Sequence, residues 1–150
     1  MSIHDLTLAS YDQFRNKKRY IEKEILLELQ ADDYSGLAMD AAREAGLFLG
    51  RRLHQVHEIE FKGEINLVTE ADRMSEKIIV SRIRQAYPDH DIMMEESPPI
   101  DNGSSYRWII DPLDGSTNYA HGYPLFCVSI ALEFKGDVIL GVIYQHILDE

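Results

Sequence analysis

The chain has 150 residues, 45% of them hydrophobic and 27% charged, the profile of a soluble globular protein with room for one core. Its 26 Asp and Glu against 15 Lys and Arg give a net charge of −11, which repels nucleic acid and anionic membranes at long range. Neither is therefore expected as a partner, and any anionic ligand would need cations to approach.

A single cysteine, Cys127, excludes an internal disulfide; in the run "LFCVSIAL" it reads as a buried, inert thiol. The start "MSIHDLTLAS" lacks the basic and apolar regions of a signal peptide. No apolar run approaches the roughly 20 residues of a membrane span. The expected location is the cytoplasm.

In chain order, residues 11–31 read as an amphipathic helix, with Tyr11, Phe14, Ile21, Ile25 and Leu29 at helical spacings. Residues 1–32 are thus expected to form a helical extension that docks on the rest or mediates association, for instance in a homodimer. Residues 37–54 read as a second helix that tolerates Gly46 and Gly50. A short strand is expected near 57–62.

The clearest helix is 70–86, with Thr69 as its cap, Asp72 three residues later, and Met74, Ile78, Ile79 and Ile83 as its apolar face. Pro88 stops it. "DIMM" is a strand leading to Glu95-Glu96, "SPPIDNGSS" a loop, and "YRWII" a buried strand. "LFCVSIALEF" and "VILGVIYQHIL" then form a hairpin across Lys135-Gly136-Asp137.

Helices first and strands later give an α+β fold, a layered antiparallel sheet flanked by helices. The last run is apolar on both faces, as a central strand would be. With nothing after it to cover the second face, the expectation is a fragment: an extension over 1–32, a metal- and phosphate-binding domain over 33–150, and a further substrate domain absent.

The chemistry concentrates in "IIDPLDGSTNYAHG", Ile109 to Gly122. Pro112 fixes its own φ and keeps Asp111 extended. A turn after it can bring Asp111 and Asp114 to one side of the strand end, with the Leu113 carbonyl between them. Two carboxylates and a carbonyl are hard oxygen ligands suited to Mg²⁺. Gly115-Ser116-Thr117 then opens a short helix whose first N–H groups can receive an anion.

Read singly, each acidic group has a plainer explanation. The motif can be an aspartate-rich turn capping a helix. Glu95-Glu96 can be a solvated face, and Asp72 a charge at a helix start. The spacing fits neither an EF-hand nor an aspartyl-phosphate site, and no Walker A sequence is present.

Together, three segments resemble the inositol monophosphatase family of metal-dependent phosphatases. "NLVTEAD" (66–72) is similar to that family's Asp-Leu-Val-Thr-x-x-Asp, and "YPDHDIMMEES" (87–97) to its Tyr-Pro-x-His-x-Ile-x-Gly-Glu-Glu-Ser. "WIIDPLDGSTNYAHGYPLFCVSIAL" (108–132) is similar to its signature strand and turn.

The resemblance runs from about Leu37 to the end and implies the N-terminal half of an αβαβα sandwich. It implies Mg²⁺ ligands at Glu95, Asp111, Asp114 and the Leu113 carbonyl, and phosphate contacts from the amides of Gly115 and Ser116. Glu95, Leu113 and Asp114 also count as substrate contacts, and Glu95 as a catalytic residue. The Ser116 hydroxyl, paired with Asp72, would orient the attacking water. The implied reaction is in-line attack of a metal-activated water on a small phosphate monoester, an inositol or sugar phosphate, without a covalent intermediate. A cation would also answer the charge problem.

Asn66 departs from the family's aspartate, Met94 from its glycine and Ser116 from its frequent threonine. The family's later Trp-Asp-x-Ala-Ala-Gly motif is absent. The alternative is therefore a non-catalytic metal- or phosphate-binding fragment or interaction module, and the isolated chain is expected to be inactive. Lys62 reads as a surface lysine or a basic neighbour of the site. His54 and His57 lack the partners of a zinc site. The chemistry does not require His90 or His121.

Overall fold

The computed structural model describes residues 34–53 and 64–148. Apart from Tyr34, the described residues belong to one compact unit, Ser35–Glu150. The expected helix 11–31, the expected strand near 57–62, His54, His57 and Lys62 lie outside the described residues.

Residues 34–53 form α1. Its inward stripe is Ala38, Ala41, Ala42, Ala45, Leu49 and Leu53, the 3–4 spacing of a helix lying on a core. The two glycines belong to this packed face. A Cβ on Gly46 would meet the Tyr144 ring at 2.9 Å, and one on Gly50 would collide with the His146 ring. Gly in a helix costs about 1 kcal/mol relative to Ala, and here it permits close approach of α1 to the last strand.

α2, Glu64–Ala86, is six residues longer at its start than the sequence implied. No Gly or Pro lies between Gly63 and Pro88, so nothing stops helix propagation once it has begun. Thr69 is therefore interior and not a cap. Asp72 is likewise beyond the first turn, which removes its reading as a helix-start charge. Its buried stripe is Ala71, Asp72, Ser75, Glu76, Ile79 and Ile83. Met74, expected inside, is 39% exposed: the buried face runs through Ser75 instead. Arg82 pairs with Glu44, and Arg52 with Glu70, each at 2.7 Å. These exposed pairs link α1 to α2 and contribute little stability.

Four strands follow in the order β1-β2-β3-β4: β1 Asp91–Met94, β2 Tyr106–Asp114, β3 Cys127–Phe134 and β4 Asp137–Tyr144. The antiparallel expectation holds for β2–β3 and β3–β4. β1 runs parallel to β2, so the sheet is mixed. Trp108, Ile110, Val128, Ile130 and Leu132 are buried at alternate positions, the period of a half-covered sheet.

Asp91 at the head of β1 anchors the β1–β2 loop. Its carboxylate accepts the backbone N–H groups of Asn102 (2.8 Å) and Ser104 (3.1 Å). Those bonds, with the Arg107 guanidinium, hold its pKa below the ordinary value. Lys135 (φ 53°) and Gly136 (φ 89°) turn β3 into β4, both left-handed as a tight hairpin requires.

The hairpin's second strand is not central. Among the described strands β4 is the sheet edge, and Val138 and Ile143 are 64% and 71% exposed. The apolar surface expected from its sequence is present, with no element among the described residues covering it.

Candidate functional site

The parallel pairing of β1 and β2 builds the site. Met94 stands opposite Ile110 in the register. In parallel strands both chains leave the ladder at the same edge, so the next residues, Glu95 and Asp111, become neighbours. An antiparallel β1 would have sent Glu95 to the far end of the sheet.

The expected turn after Asp111 is a bulge within β2. Asp111 pairs with Ser129 and Asp114 with Cys127, so three steps on β2 match two on β3. Residues three apart on a regular strand point to opposite faces. The extra residue restores parity and sets Asp111 and Asp114 on one face. Within the bulge, Asp111 Oδ1 accepts the Leu113 N–H at 3.2 Å.

Gly115 ends the strand at φ 92° and leads into α3, Ser116–Ala120. A Cβ there would stand 3.0 Å from the Leu125 carbonyl oxygen, so both conformation and space call for glycine. Tyr119 fixes α3 by donating its hydroxyl to the Leu49 carbonyl at 3.0 Å, a buried bond to α1. Asn118 closes the following loop by donating to the Leu125 carbonyl at 2.9 Å. The short helix after Gly115 is thus present as expected.

α2 approaches this corner with the polar end of its buried stripe. Asp72 is 7% exposed, and its Oδ1 has no hydrogen-bond partner. Burial first, then repulsion from Glu96, Glu95, Asp111 and Glu76, raises its pKa to about 7. Asp111 is raised to about 6, again by burial first and by the Glu95 carboxylate next to it. Among the described residues the one ion pair to this group joins Arg73 to Glu96 at 3.9 Å, largely in solvent. The corner therefore carries negative charge that the described residues do not neutralise.

The structure thus brings Glu95, Asp111 and Asp72 into mutual electrostatic reach, with Asp114, the Leu113 carbonyl and the start of α3 on the adjoining bulge. It does not draw them to a point: among the described residues no three His, Cys, Asp or Glu side chains are gathered closely enough to hold an ion. No hydrogen bond joins Asp72 Oδ1 to Ser116. The donors are nonetheless of the kind a hard divalent cation takes, and the unpartnered buried Oδ1 is an acceptor lacking its counterpart. The residues fit a cation in chemistry and charge.

Two participants, Ser75 and Glu76, escaped the sequence reading, and a third, Glu96, was given no role there beyond its pairing with Glu95. Glu96 is the largest single charge acting on Asp72. Ser75 and Glu76 are buried on α2 and bond to the two acidic segments. The available signal was two polar residues, at 75 and 76, on the stripe that continues to Ile79 and Ile83. Cys127 is half-buried, not buried, and lines a cleft of about 360 Å³ with Asp114, Gly115, Asn118 and Ile143. His90 is structural: its ring stacks between those of Tyr87 and Tyr106, each 4.7 Å away, and its Nδ1 accepts the Trp108 indole N–H at 3.1 Å.

A mixed sheet with helices against it, an Asp-Pro-x-Asp-Gly bulge and an acidic corner define the class. The chain belongs to the inositol monophosphatase family, whose model matches residues 30–150. It is 44% identical over 115 residues to the inositol-1-monophosphatase of Mesorhizobium japonicum, covering 75% of this chain and 43% of that protein.

Among solved structures it is similar to the extragenic suppressor protein suhB of Bartonella henselae, with 40% identity and a TM-score of 0.69 over 79% of this chain and 46% of that one. It is also similar to staphylococcal IMPase-II bound to inositol monophosphate, with 32% identity and a TM-score of 0.61 over 80% and 42% of the respective chains. The chain spans less than half the length of these relatives, matching their N-terminal part.

Proposed function

We propose that this chain carries the cation- and phosphate-binding half of an inositol monophosphatase-like phosphoric monoester hydrolase. Its substrate class is a small phosphorylated molecule such as an inositol or sugar phosphate. The observation that carries this reading is the buried Asp72 with its unpartnered Oδ1: burial first, then repulsion from Glu96, Glu95 and Asp111, raises its pKa to about 7. A protein gains nothing from such repulsion unless a counter-charge relieves it. The inositol monophosphate bound to the staphylococcal relative supports the substrate class.

Glu95, Asp111, Asp114 and the Leu113 carbonyl would hold the cation, Mg²⁺ by the family resemblance. When bound, such an ion supplies Lewis acidity and offsets the negative charge of an incoming phosphate. The amides of Gly115 and Ser116 would receive the phosphate oxygens at the start of α3. Glu95, Leu113 and Asp114, which border that position, would complete the substrate contacts. The Ser116 hydroxyl would orient a water for in-line attack, and Asp72 Oδ1, otherwise unpartnered, would take up its proton. A hydroxyl suffices for that role, so serine in place of threonine preserves it.

The alternative, a metal- or phosphate-binding module without turnover, shares every ligand and differs only in catalysis. Titration calorimetry with Mg²⁺ at pH 8 tests the shared part. Saturable binding is expected, lost in Asp111→Asn and Asp114→Asn. Assay of inositol monophosphate hydrolysis by the same protein separates the two readings. No saturable Mg²⁺ binding in the folded chain would overturn both.

A further inference from the structure

We propose that Ser75 and Glu76 are positioning residues, a two-pronged clamp on α2 that fixes the Glu95 segment against the Asp111–Asp114 bulge. The inference rests on the metal-site reading above and deepens it.

The two residues are consecutive, so their anchor points are tied through one peptide unit of a 23-residue helix. They reach different segments. Ser75 is fully buried, and its Oγ donates to the Pro112 carbonyl at 2.8 Å, inside the bulge. Glu76 is 3% exposed, and its Oε2 accepts the Glu96 N–H at 2.8 Å, just past β1.

Neither bond belongs to the sheet ladder. Both hold backbone next to a proposed cation ligand: Pro112 lies between Asp111 and Leu113, and Glu96 follows Glu95. Asp72 stands one turn earlier on the same stripe, so one rigid helix sets its position relative to both segments.

Burial of a serine hydroxyl and a carboxylate on a stripe that otherwise packs Ala71, Ile79 and Ile83 has a cost in desolvation. Apolar residues there would suit packing alone. The polar pair gains the bonds to the two segments, which sheet pairing alone does not hold at a set spacing beyond the last β1–β2 pair. Groups that hydrogen-bond a metal's ligands typically change affinity by about 10- to 100-fold; this pair holds the backbone beside the proposed ligands, so the lower end of that range is expected.

The test uses the 150-residue chain with Glu76→Ala, Glu76→Gln and Ser75→Ala. In metal-free protein, amide exchange at Glu96 is expected to accelerate at least about tenfold in Glu76→Ala, one hydrogen bond being lost. Glu76→Gln, which keeps an acceptor oxygen, is expected to restore most of the protection. The clamp further requires that Glu76→Ala shift the amide resonances of Leu113 to Gly115, across the site, and that Ser75→Ala shift those of Glu95 and Glu96. Ser75→Ala removes a single oxygen and keeps the proposal testable if Glu76→Ala does not fold.

Mn²⁺ affinity measured by electron paramagnetic resonance is expected to fall about tenfold in Glu76→Ala and to recover in Glu76→Gln. Unchanged Glu96 exchange, or shifts confined to each mutated residue's own contact, would overturn the clamp. No Mn²⁺ binding by wild-type protein, together with the cross-site shifts in the variants, would overturn the metal reading and leave the clamp supported.

Discussion

The Cys127 thiol donates to the carboxylate of Asp114, Sγ to Oδ2 3.6 Å, across the point where β3 begins and the β2 bulge ends. Burial, then the negative charge of Asp114, pushes the thiol's pKa up to about 11. Since the thiolate is the reactive form, a disulfide reagent at pH 8 in the presence of a chelator is expected to label Cys127 slowly. Asp114→Asn removes the charge, lowers the thiol pKa and speeds labelling. The chain's single cysteine makes the rate unambiguous. Labelling as fast as a free thiol in the native wild-type chain would contradict the contact.

Asp72 gives a pH dependence with a definite sign. Its folded pKa of about 7 lies above the ordinary aspartate value of 3.8, so between those values the folded state holds more protons than the unfolded one. Metal-free stability therefore falls as pH rises through that window and is lowest above about pH 7. Asp72→Asn abolishes the titration. It is expected to stabilise metal-free protein by about 1–2 kcal/mol at pH 8, an amount kept below the full linkage value because asparagine also leaves buried polar atoms to satisfy. The gain should vanish near pH 4. Urea unfolding at the two pH values measures it, and equal effects at both would refute the assignment.

Gly115→Ala tests the geometry at the foot of α3. A left-handed φ of 92° and a carbonyl 3.0 Å from the new Cβ both oppose the substitution. A loss of about 2–3 kcal/mol is expected in chemical denaturation. By contrast, Gly103→Ala has open space around its Cβ and faces only the strain of φ 71°, so it should cost about 1 kcal/mol.

The edge strand predicts association. β4 presents Val138, Ile139 and Ile143 to solvent beside a backbone edge that no described strand pairs, a combination that templates further pairing. Light scattering of the 150-residue chain is expected to show concentration-dependent growth, and Ile143→Lys to reduce it without lowering the denaturation midpoint. A monodisperse wild-type chain at high concentration would show that this surface is not adhesive.

Much of this arrangement was legible in the residues because local chemistry and tertiary role agree. The alternation in "YRWII" and "CVSIALEF" marks a sheet face that is indeed buried. "DPLDGS" held a proline-stiffened irregularity and a glycine opening a helix, and both are there. What was not legible depended on pairing. Nothing local to "DIMM" says that it runs parallel to its neighbour, yet that direction is what makes Glu95 adjoin Asp111.

The three-residue spacing of Asp111 and Asp114 suggested a turn. Their shared face comes from a bulge, visible only against β3. α2's start was misplaced because Thr69 with Asp72 imitates a cap, while the decisive feature was the lack of a breaker back to Gly63. Ser75 and Glu76 drew no notice because their partners, Pro112 and Glu96, lie 37 and 20 residues away.

The acidic corner and the start of α3 are proposed to form one site in which a cation admits a phosphate. The most direct measurement is the affinity of the 150-residue chain for inorganic phosphate at pH 8, with and without saturating Mg²⁺, followed by phosphorus NMR. Binding at least about tenfold tighter with Mg²⁺ is expected, the cation offsetting the local negative charge of the acidic corner, with loss of that gain in Asp114→Asn. Phosphate binding that is indifferent to Mg²⁺, or absent in folded protein that has Mg²⁺ bound, would contradict this reading.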